Sequence, residues 1–268
     1  MKKWNLKNIL VLFKEEASQS HHEKRHQSSL AQVCEVLQKH RLSYKVLRRE
    51  RLCSTIRESL VITVGGDGTF LHASHFANAS HLLLGINSVP EASHGAFCIS
   101  HAEGFEKVVL KLLAHQAPIT PLSRLEAKKN GKSLPFLALN DILFANVSPA
   151  GTSRYWIQAG KKREEQKSSG VWIATPSGST AAIRSAGGKI LPKHSRQFQF
   201  LVREPFQQGK TKLKLLKDVL RAQEKLILNP QMSRAGLFID GAHIHHDLKL
   251  GDKIEIKLSK SLIWAVMR

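Results

Sequence analysis

Residues 60–69 read LVITVGGDGT, an apolar and largely β-branched run that ends directly in a glycine-rich pentapeptide. The run predicts a buried strand, since such residues suit a parallel strand that is covered on both faces. A helix that contains Phe70, Leu71 and Phe76 is expected to begin just after it. A strand that passes through a glycine turn into a helix is the repeating unit of an α/β fold with a parallel sheet.

The rest of the N-terminal half repeats this alternation of strand and helix. Short apolar runs predict strands at 8–14 (NILVLFK), 43–47 and 81–86 (HLLLGI). Apolar residues recur at helical spacing at 30–37 and again at 105–112. The pattern predicts a Rossmann-like α/β domain with a largely parallel sheet over residues 1–118.

The pattern changes after Pro118, where segments become short, alternating and separated by turns. Asn130-Gly131, between LEAKK and SLPFLAL, predicts a hairpin turn. Further strand candidates lie at 137–147, 154–158, 171–174, 198–202, 236–240, 253–258 and 262–266. The second half is therefore predicted to be an all-β domain.

Composition limits the class of protein without choosing its ligand. With 268 residues, 42% of them hydrophobic, the chain can form a hydrophobic core without disulfide bonds or structural metals. Its three cysteines, Cys34, Cys53 and Cys98, show no CxxC spacing, which argues against a disulfide framework or zinc site and favours a reducing cytosol. No apolar run approaches the roughly 20 residues of a membrane helix, so we expect a cytoplasmic protein without a membrane partner.

The formal net charge of +20 admits nucleic acid, anionic membranes or polyphosphate ligands as partners. The basic residues are scattered, and few aromatic residues are interleaved with them, unlike the platforms on which bases stack. We interpret most of them as a solvated surface, with a minority that forms a rim attractive to anions.

The GGDGT turn carries the first chemical signal. Its glycines let the backbone approach a ligand closely, and the free N–H groups of a turn and helix start attract phosphate. Asp67 would repel an anion there, so its presence indicates a general base or a group that positions a metal-bound triphosphate. The alternative is an ordinary tight turn, because Asp-Gly and Gly-Gly pairs are common turn formers.

Two further motifs lie in the β-rich half. The run ATPSGSTAAIRSAGG at 174–188 places hydroxyls and open backbone at the start of a short helix, which suits ribose, phosphate or an adenine edge. An N-capped helix would explain one serine of that run, Ser177 or Ser179. Asn140-Asp141 interrupts the apolar run LALNDILFANV, so at least one of the two needs a partner or a ligand such as a 2′,3′-diol. A bulge or a strand end would also tolerate the pair.

Other polar features form no recognisable site. His72 and His75 lie one helical turn apart, and three more histidines crowd 243–246, but no carboxylate or cysteine completes a metal-ligand set. The sequence has no GxxxxGK[ST] motif, which excludes a P-loop mechanism, and no GxGxxG motif of a dehydrogenase.

In their order and spacing, the three motifs resemble those of the NAD kinase family: GGDGT, an Asn-acid pair and a TPxGSTA run, here at 65–69, 140–141 and 175–181. The resemblance covers the chain from about Asn8 to its C-terminus. GINSVPEASHGAFC, ALNDILFANVSPAGTSRY and FQFLVREP are similar to the plant and mitochondrial branch, some members of which favour NADH. The resemblance implies transfer of the γ-phosphate of ATP to the 2′-hydroxyl of the adenosine ribose of NAD or NADH, which gives NADP or NADPH.

The resemblance also implies roles for individual residues. Asp67 would accept the proton of the 2′-hydroxyl. The nucleotide-binding positions would be Gly65, Gly66, Asp67, Gly68, Thr69, Asn87, Asn140, Asp141, Ser169, Ser177, Thr180, Ala181, Ala182 and Ser185. The chain departs from the family pattern where Asp141 replaces Glu, Ala182 replaces the Tyr of many bacterial members, and Ser169 replaces the Asp of their DGL tripeptide. After Asn87, SVPEASHGAFC replaces the GxLGF loop.

The family fold implies a β-sandwich-like domain at 119–253 and a C-terminal tail at 254–268 that returns to the α/β domain. Members are usually homo-oligomers, so a homodimer or homotetramer is expected. Mg²⁺ or another divalent cation would arrive with ATP, so no protein ligands for a metal are expected.

Two other classes of protein share part of the pattern. Lipid kinases of the diacylglycerol or sphingosine type also carry GGDGT, but they predict a GTGND-like run that this sequence lacks. A nucleic-acid-binding module would explain the charge but would leave GGDGT and residues 174–188, the serine run, unexplained. Nucleic acid is therefore not expected as a partner.

Overall fold

The computed structural model describes residues 4, 6, 8–14, 21–91, 95–207 and 212–267, with His21 described by its backbone only. The chain divides into two compact units, one of Met1–Pro121 with Leu262–Arg268 and the other of Leu122–Ser261. No helix of the described ranges is long and apolar enough to cross a membrane.

The strands and helices are numbered in chain order. The strands are β1 (Ile9–Phe13), β2 (Tyr44–Arg48), β3 (Leu60–Val64), β4 (Leu82–Asn87), β5 (Cys98–His101), β6 (Ile119–Leu122), β7 (Leu125–Lys129), β8 (Lys132–Ser133), β9 (Asp141–Asn146), β10 (Ser153–Ala159), β11 (Lys162–Ser168), β12 (Gly170–Ala174), β13 (Gln197–Arg203), β14 (Lys217–Arg221), β15 (Leu226–Pro230), β16 (Ala235–Ile239), β17 (Ile244–Leu248), β18 (Ile254–Leu258) and β19 (Ile263–Val266). The helices are α1 (His21–Lys39), α2 (Asp67–Phe76), α3 (Phe105–Leu113) and α4 (Ala182–Ser185). Short 3₁₀ turns occur at Arg49–Arg51, Ala102–Gly104 and Gly178–Thr180.

The first unit is built on one sheet with the strand order β2-β1-β3-β4-β19-β6, and β5 also pairs with β4. The pairs of β1 with β2 and β3, and of β4 with β3, β5 and β19, are all parallel. Alternate residues of β1, β3 and β4 pack against α1 and α3 in one apolar cluster, which includes Val11, Ile62, Leu84, Leu37 and Phe105. The predicted α/β class and the return of the C-terminal strand to this sheet are both confirmed.

The second unit consists of two six-stranded sheets, β11-β10-β15-β18-β7-β8 and β14-β13-β12-β9-β16-β17, whose described pairings are antiparallel. One buried cluster draws on both sheets, and in it the rings of Phe144 and Tyr155 meet edge to face at 5.2 Å. Asn130 and Gly131 take φ values of 50° and 81° in the turn between β7 and β8, as a tight hairpin turn requires. The predicted sandwich-like β class is confirmed.

Three boundaries differ from the sequence-based expectation. Residues 254–258 were expected in the returning tail, but they form β18, which pairs with β7 and β15 inside the second unit. Helix α2 begins at Asp67 itself, because Gly66 adopts the extended backbone of an N-cap. The strand expected at 137–147 begins only at Asp141, because side chains and backbone outside the strand take the hydrogen bonds of Leu139 and Asn140.

Candidate active site

The glycine turn follows β3 at the carboxyl edge of the parallel sheet. The Gly65 N–H donates to the Ile86 carbonyl of the neighbouring strand at 2.9 Å, and the Thr69 N–H donates to the Gly66 carbonyl at 3.0 Å. A Cβ at Gly65 would lie 2.5 Å from Thr69 Oγ1, so the turn closes against the first turn of α2 only with glycine at this position. This arrangement aims the first N–H groups of α2 out of the sheet edge, where an anion is favoured.

Asp67 is the first residue of α2, and backbone amides fix its carboxylate. The Phe97 N–H donates to Oδ1 at 2.8 Å, and the Ala96 N–H donates to Oδ2 at 3.0 Å. The ring of Phe97 stacks on Phe70 of α2 at 5.0 Å, which ties the same segment to the helix. A Cβ at Gly85 would lie 2.5 Å from the Phe97 carbonyl oxygen, so this close approach requires glycine on β4. Each carboxylate oxygen retains a lone pair for a further proton or donor.

Two other residues of the first unit border this turn. Asn87, at the end of β4, is buried, and its side-chain oxygen accepts the Val89 N–H at 3.2 Å. Gly68 is exposed, and a Cβ there would lie 3.8 Å from Arg49 Nη1. Nothing in the sequence distinguishes Arg49 from the many scattered basic residues, so this proximity was not predicted.

In the second unit the Asn140-Asp141 pair lies against the start of the serine run. The Asn140 carbonyl accepts the Thr175 N–H at 2.9 Å, and Thr175 Oγ1 donates to the Leu139 carbonyl at 2.5 Å. A Cβ at Gly178 would overlap the Asn140 carbonyl oxygen, so only glycine allows this contact. The structure therefore brings together two motifs that the sequence separates by more than thirty residues, since 175 − 141 = 34.

The side chains of this pair are available for a ligand. Asn140 Oδ1 is buried and has no hydrogen-bond partner among the described residues. Asp141 is 6% exposed, and the described residues donate no hydrogen bond to its carboxyl group. Burial, reinforced by the charge of Asp240, raises the pKa of Asp141 to about 7. A buried acceptor without a donor is costly, so residues 139–141, which form a corner at the start of β9, are suited to a ligand that brings hydroxyl donors.

Asp240, which the sequence analysis missed, holds the backbone of this corner. Its Oδ2 accepts the Leu139 N–H at 2.8 Å, and its Oδ1 accepts the N–H groups of Asn140 at 2.7 Å and Asp141 at 3.0 Å. The Asp240 N–H in turn donates to the Asp141 carbonyl at 2.9 Å. In the sequence, Asp240-Gly241 has the form of an ordinary turn dipeptide, which hid this role.

The serine run divides into supporting and open positions. Ser179 Oγ is buried, donates to the Pro176 carbonyl at 2.6 Å and accepts the Leu191 N–H at 3.0 Å, so it is a structural residue. Ser177 and Ala181 are half-buried, whereas Thr180, Ala182 and Ser185 are exposed around α4. The open positions are those that the sequence analysis assigned to nucleotide binding.

Ser169 lines a separate cavity of about 480 Å³ on the face of the β9-β12-β16 sheet that points away from the sandwich core. Trp172, Phe238 and Leu143 supply its apolar wall, and Arg203 lies over the Trp172 ring at 5.8 Å. An apolar wall with a guanidinium beside it suits a flat ring that carries anionic groups.

No group of three or more His, Cys, Asp and Glu side chains in the described part of the chain is arranged to hold a metal ion.

Comparisons with known proteins agree with these motifs. The chain is 32% identical over 264 residues to the probable NADH kinase of Oryza sativa subsp. japonica, and the alignment covers 90% of this chain and 81% of that protein. It is 36% identical over 254 residues to the NADH kinase of Arabidopsis thaliana, covering 86% of this chain and 80% of that protein. No protein-family model matches the chain. The solved structure of yeast NADH kinase complexed with NADH shares the fold, with a TM-score of 0.80 at 18% identity, over 98% of this chain and 84% of that one.

Proposed function

The chain belongs to the NAD kinase family, and from this premise we propose that it transfers the γ-phosphate of ATP to the 2′-hydroxyl of the adenosine ribose of NAD or NADH. The 2′-oxygen forms a bond to the γ-phosphorus as the bond from that phosphorus to the β,γ-bridging oxygen breaks. ADP leaves, and the hydroxyl proton passes to a carboxylate. The products are NADP or NADPH and ADP.

Asp67 is the proposed general base, and its placement is the observation that carries the proposal. Its carboxylate lies at the start of α2, directly after the turn that attracts phosphate, where it can accept the proton of a hydroxyl beside that phosphate. The amides of Ala96 and Phe97 support this role because they fix the carboxylate and leave lone pairs free for the proton. A positioned base of this kind contributes about 10²- to 10⁴-fold in rate.

Asn140 and Asp141 are proposed to hold the ribose of the dinucleotide. The unpaired Asn140 oxygen and the buried Asp141 carboxyl are acceptors, and a sugar diol supplies hydroxyl donors to both. Asp141 is one methylene shorter than the glutamate of the family pattern. Asp141 is 6% exposed at the start of β9, and its backbone N–H donates to Asp240. The position of the backbone that carries the shorter side chain is therefore fixed.

The phosphoryl donor is proposed to lie over Gly65, Gly66, Gly68 and Thr69, where backbone N–H groups face an anion. Arg49, whose Nε donates to Glu50 at 2.8 Å, places its guanidinium beside Gly68 at the same turn. We propose that ATP brings Mg²⁺ or another divalent cation, which would neutralise charge on the triphosphate during transfer. Asn87, Ser169, Ser177, Thr180, Ala181, Ala182 and Ser185 are proposed as further nucleotide-binding positions.

A cytoplasmic homodimer or homotetramer is proposed as the state of the enzyme, on the basis of the family resemblance. Sedimentation of the purified protein with and without NADH tests the oligomer, and a monomer under both conditions would contradict it.

The test of the function is phosphorylation of NAD and NADH in parallel with Mg-ATP, read by a dehydrogenase specific for NADP(H). We expect product from at least one of the two dinucleotides. Asp67→Asn should reduce turnover by about 10²- to 10⁴-fold with an unchanged circular dichroism spectrum. Asp218→Asn is the matched control, because Asp218 is exposed on β14 and should tolerate the same change.

Absence of product from both dinucleotides, with folded protein and with diacylglycerol then phosphorylated instead, would replace this function by the lipid-kinase alternative. Full turnover by Asp67→Asn would remove Asp67 from the mechanism.

A further inference from the structure

We propose that Asp240 is a positioning residue for the dinucleotide: by holding the backbone of residues 139–141, it orients the Asn140 amide and the Asp141 carboxylate toward the ribose. The inference rests on the proposed function, since it concerns the site assigned there to NAD or NADH.

Three successive backbone N–H groups converge on the Asp240 side chain. The N–H groups of Leu139, Asn140 and Asp141 all donate to the Asp240 carboxylate within 3.0 Å. Such a concave run of N–H groups binds an anion, and charge-assisted bonds of this kind are stronger than bonds to neutral acceptors. A carboxylate can accept all three bonds. An asparagine in its place has one acceptor oxygen, and its NH₂ group would face a backbone N–H, which is also a donor. The conformation of the corner therefore depends on the charge of Asp240.

Alternative acceptors at this corner would give a different local structure. If Leu139 and Asn140 paired with a neighbouring strand, β9 would begin earlier and Asn140 would lie inside it, as the apolar pattern suggests. Asp240 replaces that pairing, so the chain joins the sheet only at Asp141. Thr175 and Gly178 then contact the freed carbonyl and backbone of Asn140. The side chains of Asn140 and Asp141 are consequently presented at a bend, beside the serine run.

A buried cation balances the Asp240 charge. Arg124 is 2% exposed, and burial lowers the pKa of its guanidinium to about 10, while the charge of Asp240 acts in the opposite direction. Its Nη2 donates to Ser261 Oγ at 2.8 Å and its Nε to the Ser261 carbonyl at 3.2 Å, and these two bonds fix the guanidinium. Removing one member of such a pair leaves an uncompensated charge, which is why the two residues act as a unit.

The same carboxylate acts electrostatically on Asp141. Its negative charge adds to burial in raising the pKa of Asp141, and Arg124 is the cation that acts on Asp240 in turn. Loss of the Asp240 charge therefore lowers the pH at which Asp141 becomes ionised. A residue with a purely structural role in the sandwich would not change this pH.

The experiment measures the NADH dissociation constant by NADH fluorescence, the KM values for NADH and ATP, and the pH dependence of NADH binding, in wild type and Asp240→Asn. We expect the affinity for NADH to fall on the order of 10²-fold, the cost of displacing a binding group by about 1 Å, with KM for ATP unchanged. The acid side of the NADH-binding profile should move to lower pH. Asp247→Asn, an exposed aspartate on the adjacent strand β17, is the control and should match wild type.

Unchanged NADH affinity and an unchanged pH profile in folded Asp240→Asn would overturn the inference, as would equal loss of affinity for NADH and ATP. If Asp240→Asn does not fold, Asp240→Glu decides, because it keeps the charge and moves the carboxylate by one methylene relative to the three N–H groups: a selective loss of NADH affinity supports the inference, and wild-type affinity overturns it. Wild type that binds NADH but forms neither NADP nor NADPH would refute the proposed function alone, because the binding measurements still test Asp240. Wild type that binds no dinucleotide would refute both.

Discussion

Gly178→Ala gives a quantitative test of the contact between the serine run and Asn140. Gly178 has no left-handed φ, so alanine is not strained by its backbone conformation. The added Cβ would lie 2.5 Å from the Asn140 carbonyl carbon, whereas real Cβ contacts are not shorter than 3.0 Å. The Asn140 carbonyl oxygen would lie closer still, so the two segments must separate by more than 3.0 − 2.5 = 0.5 Å.

The separation stretches a short hydrogen-bonded link. The Gly178 N–H donates to Thr175 Oγ1 at 3.0 Å, and Thr175 donates to the carbonyls of Leu139 and Asn140 at 2.5 and 2.9 Å. Overpacking costs about 1–3 kcal/mol, and weakening one of these bonds adds about 1 kcal/mol. We therefore expect a loss of about 3 kcal/mol, which lowers Tm by about 6–12 °C for a unit of this size.

Thermal unfolding by circular dichroism and the KM for NADH are the two measurements. The KM for NADH should rise with the loss of stability, because the displaced backbone carries Asn140. Gly160→Ala is the control, since Gly160 has φ +58° and open space around it. It should cost about 1 kcal/mol through backbone strain alone, with KM unchanged. Wild-type Tm and KM in Gly178→Ala would show that the contact described here does not govern the site.

Two further measurements concern titratable groups. In the folded state burial and the Asp240 charge raise the pKa of Asp141 from 3.8 to about 7, so the folded state holds the extra proton between these values and stability falls as pH rises through that window. Asp141→Asn should consequently unfold at a higher temperature than wild type at pH 8 and lose this advantage by about pH 4; an advantage independent of pH would contradict the assignment. Burial and then the charge of Asp67 raise the pKa of the Cys98 thiol to about 12, whereas Cys53 is exposed, so a thiol reagent at pH 8 should label Cys53 and spare Cys98 until the protein unfolds. Mass spectrometry of the labelled protein checks this, and equal labelling of both would be the contrary result.

The elements that were predicted correctly carry their signal locally. Strand β3 has the bounds expected from LVITV, because a continuous apolar run followed by glycines needs no distant partner to define it. The hairpin at Asn130-Gly131 follows from the left-handed conformations that these two residues adopt readily. The α/β class and the β-rich second half follow in the same way from runs and turns of a few residues.

Strand β11 shows why other elements were missed. Its sequence KREEQKS has no apolar alternation, and in place of apolar residues it buries Gln166 and Ser168. Both are hydrogen-bonded to the Tyr155 hydroxyl, at 3.2 and 2.8 Å. A buried polar network of this kind leaves no trace in a hydrophobic pattern.

The sequence predicted the motifs of the candidate site, but it did not predict the residues that hold those motifs in place. GGDGT, Asn140-Asp141 and the serine run were identified from residue types in sequence. Asp240 was not, because its role depends on N–H groups that lie about one hundred residues away in the chain. The amides of Ala96 and Phe97, which hold Asp67, were missed for the same reason, since a backbone donor has no signature in the sequence.

The position of β19 has a consequence for biosynthesis. The parallel sheet takes its strands from two stretches of chain, and Leu122–Ser261 is synthesised between them. The second unit is contiguous and can fold as soon as it has left the ribosome, whereas the first must wait, with a gap between β4 and β6, for residues 263–266 to emerge. A sheet with an open edge invites pairing with other chains during that interval. Nascent chains stalled before residue 263 should therefore depend on chaperones more than released ones, and a frameshift just ahead of codon 263 should cause aggregation rather than give a shortened enzyme.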